Sequence, residues 1–182
     1  MAGLISAVFE FALLSVPTAL YLWFRRRRQD RGRPAMGLTR GASSDYAMAF
    51  GVAVILIGLG LVATRLIPAD VLAAAGSTNR ITSGLVALAV AVRSAGEEML
   101  FRGFLQGVVA NRFGTTAGIW VQALLFLGIH LPLLAISPLV WPILPAQLLT
   151  GLVLGWLRTR HDSILPPIAV HIIANVAAGL LV

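Results

Sequence analysis

Six apolar stretches dominate this chain of 182 residues. They cover about 2–24, 46–67, 81 through the paired glutamates at 97 and 98, 115–134, 139–157 and 165–182. Most are near the ~20 residues a helix needs to cross a bilayer. In lipid each backbone N–H and C=O must be satisfied within the protein, and an α-helix does this inside one segment. The expected fold is therefore all-α: a polytopic membrane helix bundle of about six transmembrane helices. Composition agrees. The chain is 58% hydrophobic and only 12% charged, with mean hydropathy +0.90, whereas soluble domains carry roughly a quarter charged residues. Without cysteine, disulfides and thiolate metal sites are excluded.

The length allows one domain. Within it, 1–45 reads as an N-terminal transmembrane anchor and basic linker, 46–80 as a second transmembrane helix and external loop, and 81–182 as a third unit holding most of the polar anomalies. The first stretch lacks a basic start and a small-residue cleavage site, so it reads as a retained anchor rather than a signal peptide.

The net charge is +7, and all fourteen basic residues are Arg. Half of them lie between Arg25 and Asp45. Such a cluster beside an apolar segment sets orientation by the positive-inside rule rather than marking a nucleic-acid site. No nucleic acid is expected as a partner; the lipid bilayer is. The Arg25–Arg40 linker is read as a solvated cytoplasmic loop. Arg112, Arg158 and Arg160 then share its side, the 68–80 loop is external, and both termini face outward. Trp23, Trp120, Trp141 and Trp156 fall near segment ends, as interface anchors do. Gly151 and Gly155 form a GxxxG suited to close helix packing.

The third stretch carries charges where a membrane helix should have none. Glu97, Glu98 and Arg102 each cost roughly 2.5–3.5 kcal/mol at a helix centre. Adjacent helical residues lie about 100° apart, so the two carboxylates face different ways. Glu98 and Arg102, four apart, share a face and can pair. Glu97 is then free to face a cavity and do acid–base work. The run to Phe113 would be about 50 Å long as one straight helix, so it must tilt, bend or lie along the interface; Gly96 and Gly103 flank the charged turn. His130 follows Phe126 by four residues, and His171 and Asn175 are likewise four apart, each pair within an apolar stretch. At about 1.5 Å per residue, Glu97, His130 and Asn175 reach similar depths. Glu10 and Arg65 lie nearer segment ends and read as structural or topological; His161, in a solvated turn, is given no role.

These residues resemble the CPBP family of intramembrane endopeptidases, the CAAX protease and bacteriocin-processing group also called Abi. Its signature is EExxxR, FxxxH and HxxxN in order. Here these stand as EEMLFR at 97–102, FLGIH at 126–130 and HIIAN at 171–175. The resemblance covers roughly 81–182, making that unit a CPBP-like catalytic core with its active site inside the bilayer. It implies endopeptidase activity on a membrane-associated protein or peptide. It also implies roles: Glu97 and His130 activate water, His171 and Asn175 stabilise the oxyanion, and Glu98 and Arg102 support the site. Cofactor use stays open between direct water activation and one divalent metal, such as Zn²⁺, held by Glu97, His130 and His171. The expected location is the bacterial cytoplasmic membrane. The alternative is a non-proteolytic membrane protein, an ion or proton conduit or an immunity-type scaffold, using the same polar pocket.

Overall fold

A computed structural model describes residues 1–25, 36–40, 42–74 and 80–181. Among the described residues every regular element is helical. They are α1 (Ala2–Arg25), α2 (Ser43–Arg65), α3 (Ala69–Ala74), α4 (Gly84–Glu98), α5 (Gln106–Phe113), α6 (Thr115–Gly128), α7 (Leu133–Ile136), α8 (Ile143–His161) and α9 (Leu165–Leu181). A π-helical turn, Met99–Leu105, joins α4 to α5 without a break, and a 3₁₀ turn over Pro138–Val140 precedes α8.

The chain is a helical membrane bundle, but the count of about six spans is corrected. By length and composition, four described helical stretches can cross a membrane: Ala2–Phe24, Ser43–Arg65, Thr115–Ile136 and Pro138–His161. The α4–α5 run fails because it is too charged, and α9, though apolar, is shorter. The regular helix of the fifth stretch begins at Ile143 rather than 139. Pro138 and Pro142 lack the N–H that an earlier helix would need and disfavour helix before them.

Sequence explains the other boundaries. Ser83 caps α4 by accepting the Val86 N–H at 3.3 Å, satisfying one of the orphan donors of a first turn. Gly114, at φ +88°, reverses the chain between α5 and α6, a backbone region open chiefly to glycine. Pro166 and Pro167 fall in the first turn of α9, where missing donors cost little.

The bend expected near Gly96 and Gly103 takes another form. The π-helical turn widens the helix, and side chains from distant elements take up its carbonyls. Thr18 Oγ1 of α1 donates to Met99 O at 2.8 Å, and Arg158 Nε of α8 donates to Arg102 O at 3.2 Å. Gly96 serves contact instead: a Cβ there would lie 2.9 Å from Phe11 Cα, so α1 can approach α4 closely only because it is absent. Gly151 does the same for α6 and α8, its missing Cβ falling 2.9 Å from Ala123 Cα. Ala49, Ala53, Leu56, Leu154, Leu157 and Val170 form the core between α2, α8 and α9.

Two expectations for the basic end are revised. Residues 26–35 and 41 of the linker lie outside the described residues, but Met36 and Gly37 are buried rather than solvated. Gly37, at φ +69°, accepts the Ile164 N–H at 2.8 Å, and Thr39 O accepts from Ser163 Oγ at 2.6 Å. This short segment is thereby strapped to the α8–α9 turn. His161 is also not in a solvated turn: its side chain is largely buried and its Nδ1 lies 2.7 Å from Asp45 Oδ1 of α2. Asp45 sits at the start of α2, where a carboxylate is favoured and a neighbouring imidazole can reach it.

Candidate active site

Three helices each present one stripe, spaced i, i+3, i+4, i+7, to a common cavity of about 340 Å³. From α4 come Val90, Arg93, Ser94 and Glu97; from α9 come His171, Ala174, Asn175 and Ala178; from α8 come Ile143, Ala146, Gln147 and Thr150. That spacing is one helix face, so each wall follows directly from helical geometry. Phe126 and His130, at the end of α6, Leu133 of α7 and the second half of α2 complete the lining. Glu97, His130, His171 and Asn175 thus border one space.

The adjacent glutamates diverge as their 100° offset requires. Glu98 is fully buried and forms a 2.7 Å ion pair with Arg102, also fully buried. Its Oε1 also lies 2.7 Å from His171 Nδ1. An ionised carboxylate only accepts hydrogen bonds, so Nδ1 carries the proton. The Arg102 guanidinium lies 4.6 Å from the centre of the Phe126 ring, an added cation–π contact inside the bundle. Glu97 instead keeps 19% of its side chain exposed; its Oε2 is 3.8 Å from His171 Nε2, beyond a direct hydrogen bond.

The same logic fixes His130. Its Nδ1 is 2.7 Å from Phe126 O, and a carbonyl can only accept, so Nδ1 donates. In the neutral ring, Nε2 then holds the lone pair. The ring packs on Phe126 at 5.0 Å, and Phe126 meets His171 edge-on at 5.9 Å. Phe126 therefore braces both imidazoles and Arg102. Asn175 Nδ2 donates to Ser94 Oγ at 3.0 Å, leaving its second N–H uncommitted to that bond.

The candidate metal set, Glu97, His130 and His171, is not drawn together in this structure. Among the described residues, no three His, Cys, Asp or Glu side chains converge closely enough to hold a metal ion. The set Glu97, His130 and His171 does not fit such an ion in this geometry, and no step is derived through one.

Sequence reasoning also missed residues. Arg93 is a further charge within the bundle, bound to Glu10 of α1 through Nε at 2.6 Å and Nη2 at 3.2 Å. Glu10, read only as an end-of-segment charge, is thus half of an interhelical pair beside the cavity wall. Ser94, Gln147 and Thr150 were passed over as well. Their signal was available: Arg93 and Ser94 precede Glu97 by four and three residues, and Gln147 and Thr150 are polar residues three apart in an apolar helix.

Comparison with curated proteins and with solved structures returned no significant match. A family model, described as type II CAAX prenyl endopeptidase Rce1-like, matches residues 79–177. That match spans α4 through most of α9, taking in all the polar residues of the cavity that α4, α6, α8 and α9 supply, and on it the chain belongs to the Rce1-like family of type II CAAX prenyl endopeptidases, a family of proteases.

Proposed function

We propose that this protein is an intramembrane endopeptidase that hydrolyses a peptide bond of a membrane-associated protein or peptide. The observation that carries the reading is that a carboxylate, two imidazoles and an amide from three separate parts of the chain border one cavity. Glu97 is the general base. His130 Nε2, with its lone pair directed by the Nδ1–H bond to Phe126, accepts a second hydrogen bond from the attacking water. Water adds to the substrate carbonyl carbon as its proton passes to Glu97, and the carbonyl oxygen becomes the oxyanion.

Asn175 offers its second Nδ2–H to that oxygen, and His171 offers Nε2–H when protonated, donors of the kind that preferentially stabilise developing charge. Glu98 supports the imidazolium by accepting its Nδ1–H, and Arg102 holds Glu98 in place through its 2.7 Å ion pair. Collapse of the intermediate breaks the C–N bond, and Glu97 returns its proton to the leaving amine. The protein is integral to the membrane, with the linker from Arg25 to Arg40 on the cytoplasmic side.

The test is cleavage of internally quenched, membrane-anchored reporter peptides by the full-length protein in liposomes. Glu97→Gln and His130→Ala should each lower the rate about 10²–10⁴-fold, the usual worth of a positioned acid–base group. Asn175→Ala should lower it by about 10²–10³-fold, as loss of one oxyanion donor does. Wild-type rates in folded Glu97→Gln protein would sink the assignment.

A further inference from the structure

A peptide entering this cavity brings main-chain N–H and C=O groups with it. Inside a bilayer those groups need protein partners, because unpaired ones are costly there. Many peptide-binding proteins supply a free strand edge. No strand exists among the described residues, and helix interiors use their own backbone groups internally. The partners must therefore be side chains with unused hydrogen-bonding capacity that face the cavity.

The glutamines of the membrane helices divide on this criterion. Gln106 and Gln122 are fully buried and donate to the carbonyls of Gly155 and Gly151, at 2.8 and 2.7 Å. They join α5 and α6 to α8. Gln147 lines the cavity and has no hydrogen-bond partner among the described residues, and the same holds for Thr150. The two sit three residues apart on one face of α8, about 4.5 Å along the axis. That is on the order of the ~3.3 Å repeat of an extended peptide. A carboxamide supplies both donor and acceptor, and a hydroxyl does so on a smaller scale. This matches the alternating groups of a main chain and makes no demand on substrate side chains.

We infer that Gln147 and Thr150 form a binding subsite for the main chain of an extended peptide substrate, on the wall of α8. The assignment rests on the proteolytic reading above and extends it from the reacting bond to the residues that hold the substrate. Both side chains act in binding, apart from the groups assigned to water activation. Their loss should therefore raise KM with little change in kcat, the pattern of an interaction made equally in ground and transition states.

The test uses the full-length protein in liposomes and a quenched reporter peptide that the wild type cleaves, together with versions N-methylated at one backbone amide at a time. Gln147→Met and Thr150→Val keep size while removing hydrogen-bonding groups. Each should raise KM about tenfold, the scale of one lost hydrogen bond with its partner left unpaired, with kcat within about twofold and an unchanged melting temperature. N-methylation at one position should weaken wild-type cleavage about tenfold and weaken the Gln147→Met variant no further, because both changes remove the same bond. If KM is unchanged in both variants, or every N-methyl effect remains multiplicative with Gln147→Met, the subsite is refuted while the protease stands. If the wild type cleaves no reporter, or Glu97→Gln cleaves as fast as wild type, the proteolytic reading falls and this assignment falls with it.

Discussion

The two adjacent glutamates should respond very unequally to the same substitution. Glu98→Gln removes the negative charge facing Arg102, whose guanidinium is fully buried. Breaking a buried pair by removing one partner costs about 3–5 kcal/mol, because a buried charge is left uncompensated. Neutral hydrogen bonds within membrane bundles average only about 0.6 kcal/mol, so the charge dominates the loss. Two 2.7 Å contacts to Glu98 Oε1, from Arg102 and His171, weaken together. Glu97 has no comparable partner to lose; its ion-pair contact among the described residues, with His171 Nε2, is 3.8 Å long and its side chain is partly exposed. No direct hydrogen bond is lost, so the cost of Glu97→Gln should stay at or below about 1 kcal/mol, the net worth of one typical hydrogen bond. For a chain of this size, each kcal/mol moves the melting temperature by about 2–4 °C. Thermal unfolding in one detergent should thus lower the midpoint by roughly 6–20 °C for Glu98→Gln and by only a few degrees for Glu97→Gln. Adding Arg102→Met to Glu98→Gln should recover part of the loss, since an apolar replacement removes the stranded charge. Equal midpoints for the two single variants, or a further drop in the double variant, would refute the division of roles.

Other outcomes follow from single contacts. Gly96→Ala and Gly151→Ala should each destabilise by about 1–3 kcal/mol through overpacking, read as lowered unfolding midpoints, because each new Cβ would meet a neighbouring Cα at 2.9 Å. Gly58→Ala, with nothing within 4 Å of the added atom, should be neutral or stabilise by up to about 1 kcal/mol in the same assay. Thr18→Val should cost about 1 kcal/mol by leaving Met99 O in the π-helical turn without its 2.8 Å donor.

What the sequence made legible was what short-range periodicity controls. Long apolar runs imply helices because lipid permits little else, and the structure is all-helical among the described residues. The offset of Glu97 from Glu98 and the four-residue spacing of Glu98 and Arg102 are properties of one helix, and both appear in the structure. Long-range pairing was not legible. Nothing local in AVAVRSAGEE says that Arg93 will meet a glutamate 83 positions earlier. Nor does it say that Ser94 will hold Asn175 across the cavity. The π-helical turn was hidden for the same reason: Thr18 and Arg158, which satisfy its carbonyls, lie on other elements. His161 looked solvated because its neighbours in sequence are polar, while its partner Asp45 comes from α2.

The cavity also owes its existence to what its walls lack. Gly60 and Ala63 of α2, Ala146 of α8, and Ala174 and Ala178 of α9 all face it. Small residues on membrane helices usually draw helices together; here those five leave room beside Glu97 and His171. A packing defect and a substrate site make opposite demands on that room. At Gly60 an added Cβ would have nothing within 4 Å, so the side chain of Gly60→Leu starts into open space on the cavity wall. Filling an inert void commonly stabilises by about 0.5–2 kcal/mol and leaves function unaffected. Filling a substrate site should give the same rise in melting temperature and at the same time exclude the peptide. Cleavage of the reporter by Gly60→Leu should therefore fall at least tenfold while the midpoint holds or rises. Full activity in a stabilised Gly60→Leu protein would mean that substrate does not occupy the part of the cavity beside α2.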